Sequence, residues 1–218
     1  MRKSVNWRTH FIELVIVIIG ISIAFWLNNL ANDRNERRLE EAFLSDLHTE
    51  LRLDSARLQH NVKFNEQKVA VLTKGLEMIS RDANQTKIDS ALFYTTYVGH
   101  YDFFFPENFT LTSMLQSGDI KLISSRELKK ELVRLQRKYE YIEWVQNNFI
   151  KALDENFFPK VMGYIDMQSG RVSEPANLYS IQNRNFIDFT ITDTQAHITE
   201  YKGALKQIEK LFTLMQTD

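Results

Sequence analysis

An uncharged apolar run near the start of the chain constrains its fold more than any other feature. Residues 14–27 read LVIVIIGISIAFWL, and the run covers 11–30 when Glu13 and the Asn28-Asn29 pair lie at its ends. Twenty residues of α-helix measure about 30 Å, the thickness of the hydrocarbon core of a bilayer. Residues 11–30 are therefore predicted to form a transmembrane helix, with residues 1–10 as a short cytoplasmic tail and the lipid bilayer as a partner.

A secretory signal peptide is the alternative interpretation of this start, because a basic first segment and an apolar stretch are common to both. The apolar run is long, and the FWLNNLAND that follows offers no A-x-A-like cleavage site. Trp7 and Trp26 lie 19 residues apart, so both indoles fit the two headgroup regions of an uncleaved span. We therefore expect an uncleaved anchor.

The basic residues on either side of the run bear on its orientation. Three precede it and three follow it closely, and the α-amino group adds to the first flank (Arg2, Lys3 and Arg8; Arg34, Arg37 and Arg38). Positive charge is retained on the cytoplasmic side. The expected location is the cell inner (cytoplasmic) membrane, crossed once, with the N-terminus in the cytoplasm and residues 31–218 as an extracytoplasmic soluble domain.

Two positions inside the span bear on protein partners. Gly20 and Ala24 form a small-x-x-x-small pair on one helix face, which lets a second helix approach closely. This pair is the candidate site for helix–helix contact in the membrane, either with another membrane protein or by self-association. Glu13 either pairs with a basic residue of such a partner or reaches the interface, which lies within one turn.

Beyond the span, the residue pattern predicts an all-α fold. Seven glycines and three prolines are few for 218 residues, which favours long helices over sheets joined by tight turns. Apolar residues recur every three or four positions to about residue 80, from Leu128 to Leu153, and from near Asn185 almost to the end. We expect the transmembrane helix to continue into an antiparallel bundle of about four helices.

Local signals set the expected helix boundaries. A second helix is predicted over about 88–101, and Gly118 is expected to end a short helix as a left-handed cap. Ser124 followed by Glu127 has the spacing of a capping box for the next helix. The FIDFTIT stretch at the start of the last helix alternates like a strand, so a short extended start is an alternative there.

Two further patterns point to a family. The first combines Glu13, a mid-span GISIA at 20–24 and the Asn28-Asn29 pair, and the second is TSMLQSGDIKLI at 112–123. They resemble a family of uncharacterised short bacterial membrane proteins, a domain of unknown function that is frequent in the Bacteroidota. Leu30 stands near where that family usually has a Trp. The resemblance implies an N-terminal transmembrane helix with a helical soluble domain, and it supplies no activity or catalytic residue.

Composition and motifs argue against several function classes. Of 27 basic and 28 acidic side chains, three and one lie in residues 1–30, so the remainder carries about −3, unlike a nucleic-acid-binding protein. The chain has no cysteine, which excludes thiolate chemistry, and no hydrolase, Walker or dinucleotide motif. No metal-binding spacing joins the histidines (His10, His48, His60, His100 and His197). We expect no enzyme, no metal and no cofactor.

Residues 94–109 form an aromatic cluster, whose spacing favours bundle core over a ligand pocket or docking patch (Tyr94, Tyr97, Tyr101, Phe103, Phe104, Phe105 and Phe109). Two hypotheses about function follow. The first is a membrane-anchored helical interaction or scaffold protein, and the alternative is a membrane-tethered bundle that senses a ligand through a separate transducer. An enclosed pocket with convergent carboxylates or histidines would favour an enzyme, whereas a filled bundle with an exposed apolar patch would favour the scaffold.

Overall fold

The protein is represented by a computed structural model that describes residues 7–81, 88–166 and 168–217. Six α-helices dominate these residues: α1 (Trp7–Arg81), α2 (Ile88–Tyr97), α3 (Phe109–Ser117), α4 (Arg126–Ala152), α5 (Phe158–Met162) and α6 (Ile181–Thr217). The described residues contain no β-strand, only one isolated bridge between Ile165 and Val172. The all-α prediction is confirmed.

Helix α1 joins the apolar segment to the bundle without a break. It is 75 residues long, about 110 Å at 1.5 Å per residue. Residues 13–29 are exposed, whereas from Leu47 onward buried positions recur at alternating spacings of three and four (47, 51, 54, 58, 61, 65, 68, 72, 75 and 79). One side of α1 therefore forms a wall of the bundle, as the apolar stripe predicted. The gaps in that stripe, at Asp54-Ser55 and Asn65-Glu66, include two buried polar residues, Asp54 and Asn65.

The helices pack as an up-down-up-down bundle. The start of α4 lies near the apolar end, because the Ser124 amide and hydroxyl both donate to the Glu40 carboxylate. Helix α6 returns antiparallel to α4, and Lys210 near its end pairs with Glu127 at 3.1 Å. The fourth member is discontinuous: α2 and α3 are joined by a non-helical strap, residues 98–108. The bundle prediction is confirmed. The interruption between α2 and α3 is a feature that the prediction did not include.

Two hydrophobic clusters fill the bundle. The proximal core, nearer the apolar segment, includes Leu51, Leu132 and Ile208. The distal core is built around Leu72, Leu153 and Ile187. Between the two clusters, every buried position on the three long helices carries a polar side chain: Asn61, Asn65 and Lys68 of α1, Gln146 of α4, and Thr194 and His197 of α6. These six residues are called the polar layer.

Helix α2 is shorter than predicted, because it ends at Tyr97 and not near residue 101. Two carbonyls beyond that point are held by side chains of α1. The Lys68 ammonium donates to the Val98 carbonyl at 3.1 Å, and the Asn61 amide donates to the Asp102 carbonyl at 3.0 Å. The strap obtains from side chains part of the bonding that a longer helix would supply internally.

The capping residue of α4 is Ser125, and the prediction of Ser124 was off by one position. The Ser125 hydroxyl accepts from the Leu128 amide at 3.4 Å. The Ser124 hydroxyl is already engaged, since it donates to Glu40 at 2.7 Å. Of the two adjacent serines, Ser125 therefore caps α4 and Ser124 binds α1.

The start of α6 is helical, so the extended alternative for the FIDFTIT stretch is wrong. The helix begins at Ile181, ahead of the predicted Asn185, and the Ser180 hydroxyl caps it by accepting from the Asn183 amide at 3.1 Å. Buried side chains in and after this stretch recur at helical spacing and pack into the bundle (Ile187, Thr190, Ile191 and Thr194). Packing overrides the local alternation.

Two backbone features mark helix ends. Gly118 follows α3 with φ 80°, which confirms the predicted left-handed cap. After α4, the turn Leu153–Phe157 is π-helical and leads into α5. Such turns occur often at functional sites.

Two helical glycines are expected to respond to alanine with opposite signs. A Cβ at Gly75 would lie 2.7 Å from the Tyr94 Cβ, so Gly75→Ala should lower the free energy of unfolding by about 1–3 kcal/mol. At Gly203 the nearest atom is Lys138 Nζ at 3.7 Å, so Gly203→Ala should raise it by about 0.5–1 kcal/mol. Urea unfolding of both variants checks this pair. A Gly75→Ala protein as stable as the wild type would contradict the close contact between α1 and α2.

Candidate functional site

The apolar segment of α1 is exposed on every side. Its most apolar 18-residue window has a mean hydropathy of 2.2, and none of it is buried within the protein. The large side chains are 37% to 68% exposed (Phe11, Leu14, Val15, Ile16, Val17, Ile18, Ile19, Ile21, Ile23, Phe25, Trp26 and Leu27). The described part of the chain thus has one N-terminal helix with the length and composition of a membrane span.

The predicted contact pair, Gly20 and Ala24, lies on this exposed segment. A Cβ built at Gly20 would meet no other atom within 4 Å. The Ser22 hydroxyl, on the opposite face, donates to the Ile18 carbonyl at 2.8 Å and is therefore satisfied within the helix. The face is open to a second helix, and the contact itself stays a prediction.

The strap is clamped to the bundle by Gln146. The Phe104 amide donates to Gln146 Oε1 and Gln146 Nε2 donates to the Phe104 carbonyl, both at 3.0 Å. The Tyr201 hydroxyl also donates to Oε1, at 2.7 Å. One buried amide thereby connects the strap, α4 and α6, and the Phe104 side chain is buried beside Tyr139 and Tyr201.

Two carboxylates of α1 hold the C-terminal end of the strap and the start of α3. The Asp54 carboxylate accepts from the Glu107 amide at 2.7 Å and from the Tyr139 hydroxyl at 2.6 Å. Glu50 accepts from both the amide and the hydroxyl of Thr110. Burial raises the pKa of Asp54, and the two bonds it accepts oppose that rise. Asp54 is the polar gap in the apolar stripe, which is the sequence signal that identifies it.

The polar layer contains a buried charged group and its neighbours. Lys68 is 1% exposed, and its ammonium lies 5.0 Å from the centroid of the Phe149 ring. On α6, His197 Nδ1 lies 3.2 Å from Asp193 Oδ2. Neither Lys68 nor Asp193 was singled out from the sequence. The sequence signal that could have identified them is a charged residue at, or next to, a position where the helical spacing requires an apolar side chain.

Burial shifts the pKa values of all three groups towards their neutral forms. Desolvation lowers the pKa of Lys68 to about 8, although the charge of Asp193 acts against it. Desolvation raises the pKa of Asp193 to about 6, opposed by Lys68. The pKa of His197 falls to about 4, first through burial and then through the Lys68 charge. At neutral pH the histidine is therefore uncharged, between a carboxylate and an ammonium.

The Lys68 shift predicts a pH-dependent stability. Below pH about 8 the lysine is charged in both states, so its desolvation penalty is fully present. Between pH about 8 and 10.5 the folded protein releases the proton that the unfolded chain retains, so stability rises with pH. From pH 7.5 to 9.5, wild type should gain about 2 kcal/mol relative to Lys68→Met.

Urea titrations at both pH values measure this gain. The exposed Lys206→Met serves as the control and should show no such change. A constant difference between wild type and Lys68→Met across the range would contradict a buried ammonium in the polar layer.

Unsatisfied polar atoms concentrate near this layer. Among the described residues, three buried side-chain atoms make no hydrogen bond: Asn61 Oδ1, Asp193 Oδ2 and His197 Nε2. The 3.2 Å contact between Asp193 Oδ2 and His197 Nδ1 would be an ion pair only with the histidine protonated. A buried polar atom without a partner costs about 1–3 kcal/mol.

The structure does not bring together the four histidines whose side chains it describes, and His10 lies outside that set. His48 lies against Phe212, His60 contacts Asp102 at 3.0 Å, and His100 stacks between Phe64 and Tyr97. Across residues 7–81, 88–166 and 168–217, no group of three or more histidine or carboxylate side chains is placed to hold a metal ion.

The aromatic cluster is divided between core and surface. Tyr94, Phe103 and Phe104 are buried, as the bundle-core interpretation predicted. Phe105 and Phe109 are 71% and 82% exposed. A second exposed pair lies on α4, where Tyr141 and Trp144 stack with their ring centroids 5.8 Å apart above a shallow groove between α4 and α6. The bundle thus presents aromatic surface on the strap and α3, on α4, and also at Phe93 and Phe189.

Comparison with known proteins decides the family. Residues 13–169 match the Family of unknown function (DUF6090). The chain belongs to this family. In this DUF6090 member the matched stretch begins in the apolar segment, includes Lys68 and Gln146, and ends before α6, which carries Asp193 and His197. No curated protein and no solved structure matches the chain.

Proposed function

We propose that this protein is a single-pass membrane protein whose helical bundle serves as an interaction or scaffold module beside the bilayer. One observation carries the proposal: the apolar segment of α1 is exposed all round while the bundle that continues from it is filled by its own two cores. None of the residues that the structure describes packs against the segment to bury it. Its apolar side chains therefore need another apolar environment.

Lipid is the environment that fits the segment best. Removing a Leu or Ile side chain from water contributes about 1.5–3 kcal/mol, and a whole row of such side chains lines residues 14–27. The helix is long enough to cross the hydrocarbon core, and Trp26 lies near its end. The basic first residues and the family resemblance support the inner membrane of a bacterium of the Bacteroidota, with the N-terminus in the cytoplasm.

An interaction role is supported by what the bundle exposes. The two hydrophobic clusters occupy the interior, and the exposed residues Phe105 and Phe109 and the stacked pair Tyr141-Trp144 lie outside them. Exposed aromatic side chains are enriched where proteins bind one another. A non-catalytic module is proposed because the buried polar residues Asp54, Lys68 and Gln146 bind the backbone of the strap. Partners are expected in the membrane through Gly20 and Ala24 or on the bundle surface.

Liposome flotation tests the anchor. The full-length protein should float with vesicles through a density gradient and resist extraction at alkaline pH, as a spanning helix does. Recovery of the folded, full-length protein in the aqueous fraction would contradict the proposal.

Cross-linking in native membranes, followed by mass spectrometry, tests the interaction role. Gly20→Ile should abolish cross-links to a neighbouring membrane helix, because it fills the space that the glycine leaves open. Ile21→Leu, a volume-conserving change on a neighbouring face, should leave them intact. Recovery of the wild-type chain without any cross-linked partner or second copy would contradict the scaffold role.

A further inference from the structure

A cavity of about 220 Å³ lies at the end of the bundle farthest from the apolar segment. It is bounded by the π-helical turn, α5, residues 175–180 and the start of α6. Phe157, Val161 and Asn183 form buried parts of its wall, and Phe186 is half-buried beside them. The cavity therefore combines an apolar interior with an opening to solvent.

The rim of the cavity is polar, and the charged residue that lines it is Lys160. The Glu174 carboxylate lies just outside the lining, where it accepts from Asn177 Nδ2 at 2.9 Å. Amide side chains of Asn156, Asn177 and Gln182 line it together with the Lys160 ammonium. None of the lining residues is acidic. Lysine and amide N–H groups are donors that carboxylate oxygens accept from.

Lys160 is available to a ligand. Its ammonium lies 6.0 Å from the centroid of the Phe186 ring, over the apolar part of the cavity. The ion pairs found within the described ranges do not include it. An anion that binds here would therefore not have to displace any of the carboxylates that the structure describes.

The wall is held in place by buried hydrogen bonds. Asn183 Nδ2 donates to the Thr95 hydroxyl at 2.8 Å and to the Leu178 carbonyl at 2.7 Å. The π-helical turn sets the positions of Asn156 and Phe157 at the opposite side. A site whose walls are fixed in advance loses little conformational entropy when a ligand binds.

We infer that this cavity binds a small organic carboxylate. The carboxylate lies against the Lys160 ammonium and the rim amides, and the apolar body of the ligand packs between Phe157 and Phe186. The partial positive charge of the first turn of α6 acts in the same direction. This site goes beyond the proposed anchor and interaction roles, and it would give the bundle a ligand to sense.

Fluorine NMR on the full-length protein in lipid nanodiscs tests the site. The probes are para-fluorobenzoate and its neutral and cationic analogues, para-fluorobenzamide and para-fluorobenzylamine, with empty nanodiscs as the blank. Benzoate should bind, and each analogue should bind at least about 10-fold more weakly, which is the loss of one charge-assisted hydrogen bond.

Three variants locate the binding. Lys160→Gln should weaken benzoate binding about 10-fold or more, whereas Lys206→Gln, at an exposed lysine of α6, should not change it. Gln182→Glu should also weaken it, although an acidic residue in the first turn favours the helix. That variant separates loss of binding from loss of folding. Equal binding of benzoate and benzamide, no benzoate binding, or full binding by Lys160→Gln would each overturn the inference.

Discussion

Replacement of Gln146 by leucine is expected to lower the free energy of unfolding by about 4 kcal/mol, because it leaves several buried polar groups without partners. The Phe104 amide and carbonyl would each lose a bond of 3.0 Å, and the Tyr201 hydroxyl one of 2.7 Å. Leucine has about the right size for the site, so the loss would come from unsatisfied hydrogen bonds and not from a cavity. Urea unfolding followed by circular dichroism measures it.

Asn147→Leu is the matched control, since the neighbouring side chain is exposed on the same helix. It should change stability by less than about 0.5 kcal/mol. Hydrogen exchange adds a local test: the Phe104 amide should lose protection in Gln146→Leu. If Gln146→Leu were as stable as Asn147→Leu, the clamp would not hold the strap.

Lysines at Ile16 and Ile19 are expected to remove the protein from membranes. Both side chains are exposed within the apolar segment. Each lysine near the centre of a span costs about 3 kcal/mol, so the pair opposes insertion by about 6 kcal/mol. The fraction of the Ile16→Lys, Ile19→Lys protein that resists alkaline extraction should fall steeply relative to wild type.

The control carries two lysines at other positions, Leu53→Lys and Ile88→Lys. Both are exposed outside the apolar segment, on α1 and α2. This variant should remain membrane-bound, since its lysines stay in water. Equal membrane recovery of the two double variants would mean that residues 11–30 are not the anchor.

The long helices could be predicted because each carries apolar side chains at helical spacing along one face, and that spacing can be read from the sequence alone. Leu128, Leu132 and Leu135 recur at helical spacing, and they are buried as that spacing requires. The junction between the apolar segment and the bundle was predictable for another reason, the absence of proline and glycine between Leu30 and Leu47. Local composition decides such features.

The strap and the polar layer could not be predicted in the same way. Asp54 and Lys68 occupy stripe positions, so the pattern shows that something polar is buried there without showing its partner. Those partners, Glu107 and Val98, are 53 and 30 residues away along the chain. Distant pairings of this kind depend on the complete packing of the bundle. The cavity beside Lys160 has the same origin, since it lies where α5 meets the start of α6.

The central claim is that lipid surrounds residues 11–30 of α1 while water surrounds the rest of the outer face of that helix. Because the native chain has no cysteine, single cysteines at Ile16, Ile19, Ile23 and Leu53 can each carry a nitroxide label in the full-length protein in bilayers. Electron paramagnetic resonance then compares relaxation by oxygen, which enters lipid, with relaxation by a water-soluble nickel chelate. Oxygen should dominate at Ile16, Ile19 and Ile23, and nickel at Leu53. Nickel relaxation at all four positions alike would contradict the claim.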